Sequence, residues 1–281
     1  MTLPDLILWI TSLSRDFCNS PANSMQDGTG ERAWDTPLVG FANGADSIFE
    51  QYKTAVGEFH WTPWEIFAQM FPDLTVAPEE LTVIVYILPQ TEVTKRDQRR
   101  QTAYPSERWA RTRFFGEHFN RDLRDHVALA LNEAGYPAVA PSSAPQFKIH
   151  DSEHYTLAAT WSERHAAYAA GLGTFGLSDG LITPVGKAHR LGAIVARISI
   201  PATPRPYTDH HAYCSWYIDG TCGQCIRRCP AGALSAVGHD KIKCRDYLDY
   251  TRPYILENYG FPGVTIQPPL PGGKRDFGEG T

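Results

Sequence analysis

Apolar positions recur at helical spacing from residue 3 to residue 18, where Leu6, Ile7, Ile10, Leu13 and Phe17 share one face and predict an amphipathic helix. The next stretch, 19 to 37, is rich in Ser, Asn, Gly, Asp and Pro and reads as a loop able to close over something. Leu38 to Asn43 suits a short strand or a buried turn, and Ser47 to Val56 a second helix. The clearest strand signal is the unbroken β-branched run Leu81 to Leu88. It is bounded by Glu79-Glu80 and Pro89 and predicts a central strand buried on both faces. The charged segment Thr91 to Ser106 reads as a solvated loop. Its cluster Lys95, Arg96, Arg99 and Arg100 is a wet surface or an anion site. Ser106 can cap a long helix through about Glu133, with Trp109, Phe115, Phe119, Leu123, Val127 and Leu131 on one face and Gly135 as its stop. Ala138 to Ala140 predicts a short strand and Trp161 to Ala170 a helix, and the strand Leu191 to Ile200 is expected to pair with Gly180 to Pro184.

A chain of 281 residues can bury a full core and hold one large domain with a small appendage. Its 31 acids against 26 bases give a formal net charge of −5, so no basic field for nucleic acid is implied. The apolar run Leu6 to Ile10 is too short for a membrane span and follows Asp5 rather than a basic stretch, which argues against a signal peptide. The expectation is a soluble, cytoplasmic protein with no membrane partner.

The cysteines change the picture. Five of six fall between Cys214 and Cys244, and the run Cys222-Gly-Gln-Cys225-Ile-Arg-Arg-Cys229-Pro230 has the spacing and the Cys-Pro ending of a ferredoxin-type iron–sulfur loop. The first cysteine of that loop would fall at Asp219; here Cys214 stands five residues upstream. Four thiolates also suit tetrahedral zinc. The Cys-Pro ending favours iron, and nothing marks a secreted, disulfide-built domain. Two all-thiolate cubanes need more cysteines than the chain has, so the count predicts one 4Fe-4S cluster, held by Cys214, Cys222 and Cys225 with Cys229 or Cys244 as fourth ligand. Cys18 reads as a small buried hydrophobe.

Two further stretches carry alternatives. The aromatic run Phe59-His60-Trp61-Thr-Pro63-Trp64-Glu-Ile-Phe67 suits a core, and its sharper reading is a flat cofactor pocket walled by Trp61 and Trp64. Gly171-Leu-Gly173-Thr-Phe-Gly176 has the spacing of a dinucleotide fingerprint, but helix formers rather than a strand precede it. It therefore reads as a helix stop and tight turn, not a nicotinamide site.

The residues Trp161 to Leu177, Leu181-Ile-Thr-Pro-Val-Gly-Lys187, Pro204-Arg-Pro206 and Cys222 to Leu234 resemble iron–sulfur proteins of the epoxyqueuosine reductase-like family, distant relatives of the reductive dehalogenases. The resemblance spans roughly residues 35 to 250. It implies an α/β (α+β) fold: a nitroreductase-like mixed sheet with flanking helices over 1–205 and a ferredoxin-like 4Fe-4S module over 206–255, while the Gly- and Pro-rich stretch 256–281 reads from its composition as a mobile tail. It also implies cobalamin as a first candidate cofactor, with Trp61, Trp64, Glu163, Arg164 and Gly173 around it. A small-molecule or corrinoid ligand and an electron donor such as a ferredoxin or flavodoxin are the partners expected. The family's proton-donating aspartate would fall at Leu157 here, and its second cysteine pair is missing, so tRNA-directed chemistry is not carried over. In place of that aspartate, Asp151, His154 and Tyr155 are candidate proton donors, or plain surface-loop residues. Glu163, Arg164 and His165 read equally as a buried network tying the helix to the glycine turn. The expected activity is that of an oxidoreductase passing single electrons from the cluster to a cofactor or substrate. The alternatives are a non-enzymatic electron-transfer or corrinoid-reducing partner protein and a zinc-stapled binding module.

Overall fold

The computed structural model describes residues 2 to 265. Helix α1 (Leu3–Cys18) is started by Thr2, whose hydroxyl accepts from the Asp5 amide while the Asp5 carboxylate takes the Thr2 amide. Strand β1 (Leu38–Asn43), helices α2 (Ile48–Val56) and α3 (Pro63–Met70), and strand β2 (Leu81–Pro89) follow. Next come α4 (Glu92–Arg99), the 27-residue α5 (Glu107–Glu133), β3 (Ala138–Val139) and the hairpin β4 (Ile149–Ser152) and β5 (Thr156–Ala159). Then follow α6 (Glu163–Ala169), the small hairpin β6 (Thr174–Phe175) and β7 (Leu181–Ile182), and the long strand β8 (His189–Arg197). The cysteine segment holds α7 (Ser215–Asp219), α8 (Gln224–Arg228), β9 (Leu234–Ser235), β10 (Gly238–His239) and α9 (Lys241–Tyr250), and α10 (Arg252–Tyr259) closes the described chain.

The main sheet has the order β1-β2-β8-β3, and every pairing in it is antiparallel, so the expected mixed sheet is not what forms. The structure is α+β. Strand β2 is central and buried at every residue, because each face carries its own core. Phe49, Phe67, Trp161 and Val85 pack on one side; Ile10, Trp34, Phe119, Leu123 and Tyr86 pack on the other. On the second side, Trp34 donates from Nε1 to the Gly116 carbonyl, 3.1 Å away, and a Cβ at Gly116 would stand 2.9 Å from the indole. The glycine in mid-helix is thus a seat for the tryptophan.

Gly192 performs the same service for Tyr86. These residues face each other across β2 and β8, a Cβ at Gly192 would come 2.2 Å from the phenol oxygen, and that hydroxyl is held by Asn120 at 2.9 Å. Gly192→Ala is expected to destabilise the fold by about 3 kcal/mol, read from urea unfolding midpoints at unchanged slope. A loss below about 0.5 kcal/mol would show that Tyr86 shifts freely.

Three expectations are corrected. Thr91 to Ser106 is not all loop: Thr91 caps α4 by accepting from the Thr94 amide, and the helical charges pair locally, Lys95 with Glu92 at 2.5 Å. Leu181–Ile182 pairs with Thr174–Phe175 rather than with β8, whose edges are taken by β2 and β3. Residues 256 to 265 do not form the expected mobile tail, since α10 runs to Tyr259. Ile255, Phe261 and Val264 are buried against Ala110 of α5, and the remainder of that tail, 266 to 281, lies outside the described residues. No helix among the described residues is long and apolar enough to cross a membrane.

Candidate functional site

The cysteine segment is fastened to the β6–β7 hairpin by hydrogen bonds to Thr174 and Phe175. The Phe175 amide donates to the His210 carbonyl at 2.9 Å, and the Tyr213 amide to the Thr174 hydroxyl at 2.9 Å. Cys214 is therefore buried at the foot of that hairpin, and its carbonyl accepts from Tyr217 and Ile218 of α7. The chain then reverses through Gly220 and Gly223, at φ 72° and 88°, backbone that side-chain-bearing residues rarely adopt. The reversal presents Cys222 at the surface and Cys225, half-buried, on α8. Lys187 reaches under the β6–β7 turn, bonds the Ser178 hydroxyl and lies in the field of Cys214, Cys222 and Cys225. Burial lowers its ammonium pKa, and these thiols and Asp179 work against that shift. The other two cysteines have different neighbours: Cys229 lies by Tyr247, and Cys244 hydrogen-bonds His239.

The donor chemistry suits an iron–sulfur core: three soft thiols share one neighbourhood, two of them from one tight turn. Zinc would accept the same thiols, and among the described residues no three His, Cys, Asp or Glu side chains converge in a way that could hold a metal ion.

Beside the thiols lies a charged junction. Arg164 of α6 donates to the Asp179 carbonyl at 2.5 Å, and the Asp179 carboxylate meets His239 Nδ1 at 3.2 Å. Lys241 bonds the Leu157 carbonyl at 2.9 Å and hangs 4.8 Å over the Tyr155 ring. Asp179 holds a left-handed backbone, φ 54°, on the turn between β6 and β7. Burial pushes its pKa up, but the His239 hydrogen bond and the charges of His239, Arg164 and Lys241 together hold it below the usual carboxylate value. His239 is pushed up to about 9, first by the Asp179 bond and then by the Cys244 bond. The Tyr155 pKa is raised, mainly by burial and further by Asp179, with Arg164 opposing, so the phenol keeps its proton at neutral pH. Asp179→Asn is expected to bring the His239 titration down from about 9 toward 6.5, followed through its ring-proton resonances. An unmoved midpoint would assign the shift to Cys244 instead.

Of the three candidate proton donors, Tyr155 alone faces this junction. Asp151 and His154 are exposed on the β4–β5 hairpin: Ser152 turns inward to the Val56 carbonyl, so its strand neighbour Asp151 points out, and His154 stands on the turn. The aromatic run splits in the same way. Trp61 is packed in the core, whereas Trp64 is 44% exposed and tied by Nε1 to the Val76 carbonyl on the outer face. They do not wall one flat pocket. Nor does Gly173 leave an open cradle, since a Cβ there would stand 2.3 Å from the Ile182 carbonyl. These three residues do not fit the corrinoid seat expected of them. Glu163 and Arg164, adjacent on α6, face different ways. Arg164 enters the junction, while Glu163 accepts from Ser142 at 2.6 Å and from Trp161 at 3.4 Å, and burial pushes it up to about 7. His165 is core, its Nδ1 2.8 Å from the Ser162 hydroxyl.

Sequence reading missed Asp179, Lys187, His239 and Lys241. The signals were slight: Asp179-Gly180 marks a turn, and Asp240 caps α9 by accepting from the Ile242 and Lys243 amides.

Among known proteins, the chain is similar to ones named epoxyqueuosine reductase and reductive dehalogenase. No family model matches the chain. The curated epoxyqueuosine reductase of Bacillus anthracis is 33% identical over 100 residues, which bears out the resemblance to that family. The match covers 35% of this chain, which spans about a quarter, 24%, of that protein. A crystal structure of epoxyqueuosine reductase aligns with a TM-score of 0.48 at 15% identity, over 94% of this chain and 63% of that one. A reductive dehalogenase described as B12-dependent aligns at 0.45 and 15% identity, over 75% of this chain and 27% of that one.

Proposed function

We propose that this chain is an iron–sulfur oxidoreductase. It holds one 4Fe-4S cluster through Cys214, Cys222, Cys225 and one of Cys229 and Cys244, and serves an acceptor bound at the Tyr155–Arg164–Lys241 junction. The observation that carries the reading is the docking of the cysteine loop on the β6–β7 hairpin, which sets three thiols beside Lys187 and, on the same turn, Asp179 with its partners. When bound, the cluster supplies single electrons. The protein's own groups do the rest. Arg164, Lys187 and Lys241 attract an anionic or electron-rich acceptor, and Tyr155 and the His239–Asp179 pair hold protons where reduction would build negative charge. No step is assigned to cobalamin, because Trp61, Trp64 and Gly173 do not form its seat.

The reading is tested by anaerobic purification with metal analysis and an optical spectrum. A brown protein whose charge-transfer absorption bleaches with dithionite supports it. A colourless protein with stoichiometric zinc replaces it with the structural-module reading. Titration with oxidised and reduced cobalamin, followed by calorimetry, separately decides whether a corrinoid is the acceptor.

A further inference from the structure

The basic cluster on α4 acquires a neighbour that the sequence does not suggest. Arg228 of α8 donates to the carbonyls of Arg99 and Gln101, at 3.2 and 3.0 Å, where α4 ends. A guanidinium suits that position, since the last carbonyls of a helix lack partners and carry its negative pole. Arg227, on the same turn, donates to the Cys222 carbonyl at 3.3 Å. The exposed arginines 96, 99 and 100 are thereby joined to Arg227 and Arg228 in one patch that touches the cysteine loop. Carboxylates do little to cancel it. Asp97 is turned to Arg108 at 2.5 Å, and Glu92 bonds Lys95 and lies 3.5 Å from Arg99. Among the described residues, Arg96, Arg100, Arg227 and Arg228 form no ion pair with a carboxylate. The patch stands out on a chain whose formal net charge is −5. Helix α7, which leads into the Cys222 loop, leaves Tyr217 and Ile218 47% and 61% exposed.

Resting on the iron–sulfur reading, we propose that this patch is the docking face for an acidic one-electron carrier protein. Exposed arginines beside a loop entered through exposed apolar side chains suit a transient protein interface, and opposite charge speeds encounter. Docked on the arginines, the carrier lies against the loop whose Cys222 thiol is exposed. One electron leaves the reduced carrier and one arrives at the cysteine-held centre, with no proton required.

The test uses the anaerobic holoprotein with a flavodoxin of strongly negative net charge, and basic cytochrome c as the control carrier. Calorimetry should show flavodoxin binding that weakens about tenfold between about 20 and about 300 mM salt, and no binding of cytochrome c. The triple variant R96E/R99E/R100E, whose substituted side chains are exposed, should lose about tenfold or more in affinity and in the rate of reduction by flavodoxin. Its iron content and its bleaching by dithionite should match the parent. Arg227→Gln on α8 should weaken binding in the same direction. Salt-independent binding, or equal binding by the triple variant, overturns the proposal. So does an RNA stem-loop that binds through these arginines while flavodoxin does not. If the protein carries no cluster but flavodoxin still binds through the arginines, the docking face stands and the electron-transfer reading falls.

Discussion

Replacing Cys222 or Cys225 by serine is expected to leave the protein without iron and without colour, whereas the parent holds about four irons per chain. The two thiols come from one left-handed reversal, and with Cys214 they share Lys187 as a neighbour, so removing either leaves too few donors in one place. Cys18 cannot compensate. It is 1% exposed in the core between α1 and α5, and burial pushes its thiol up to about 12. The remaining pair is expected to divide, one of Cys229→Ser and Cys244→Ser keeping the iron and the other losing it. The charge of Cys244 acts on His239 and that of Cys229 on Tyr247, so the two candidates for the fourth place have different surroundings. Iron analysis with electron paramagnetic resonance of the reduced protein reads all four variants. About eight irons, with magnetic coupling between two centres, would show that ligands other than cysteine complete a second cluster and that the cysteine count misleads.

The parts of the fold visible in the sequence are those that local forces decide. The helical spacing of α1, the long α5 behind Ser106 and the buried run of β2 follow from spacing and capping chemistry alone. Pairing was hidden, because it depends on which edges remain free: β8 fills the edge of β2, and Leu181–Ile182 closes on its own hairpin instead. Helix α4 was hidden because it has almost no apolar face to give a period. It is held by a cap, local ion pairs and the Arg228 contact from 129 residues away. The same division runs through the site. The thiols announce themselves by spacing, and Tyr155 by lying ahead of α6. Asp179 comes from the β6–β7 turn and His239 and Lys241 from the junction of β10 and α9, and they acquire meaning only where these two segments meet. The aromatic run misled because density of rings is the same signal for a core and for a cofactor wall, and strand and helix geometry sent Trp61 inward and Trp64 outward.

Acid is expected to weaken the fold through His60. The ring is 1% exposed among Tyr52, Trp161 and His165, and neither nitrogen has a hydrogen-bond partner. Burial disfavours the charged form and lowers its pKa from 6.5 to about 4, with the Lys53 charge adding to this and the Trp61 backbone and Glu65 opposing only in part. Because the folded pKa lies below the unfolded one, the unfolded chain binds more protons between them. Stability is therefore complete above about pH 6.5 and falls as the pH drops toward 4, by about 3 kcal/mol when the difference is fully expressed. His165 shifts in the same direction, by burial first and then by the charge of His60, so protonating one ring opposes protonating the other. His189 and His210 also titrate downward, to about 4, which makes the difference between parent and variant the informative quantity. His60→Phe removes the proton uptake and two unpaired polar atoms in one step. It is expected to flatten the loss of stability between pH 6.5 and 5 and to hold or gain about 1 kcal/mol at pH 7.5. Urea unfolding across that range measures both. An unchanged acid slope would clear His60 of the effect, and a loss of more than about 2 kcal/mol at pH 7.5 would show that its nitrogens hold a partner that a phenyl ring cannot replace.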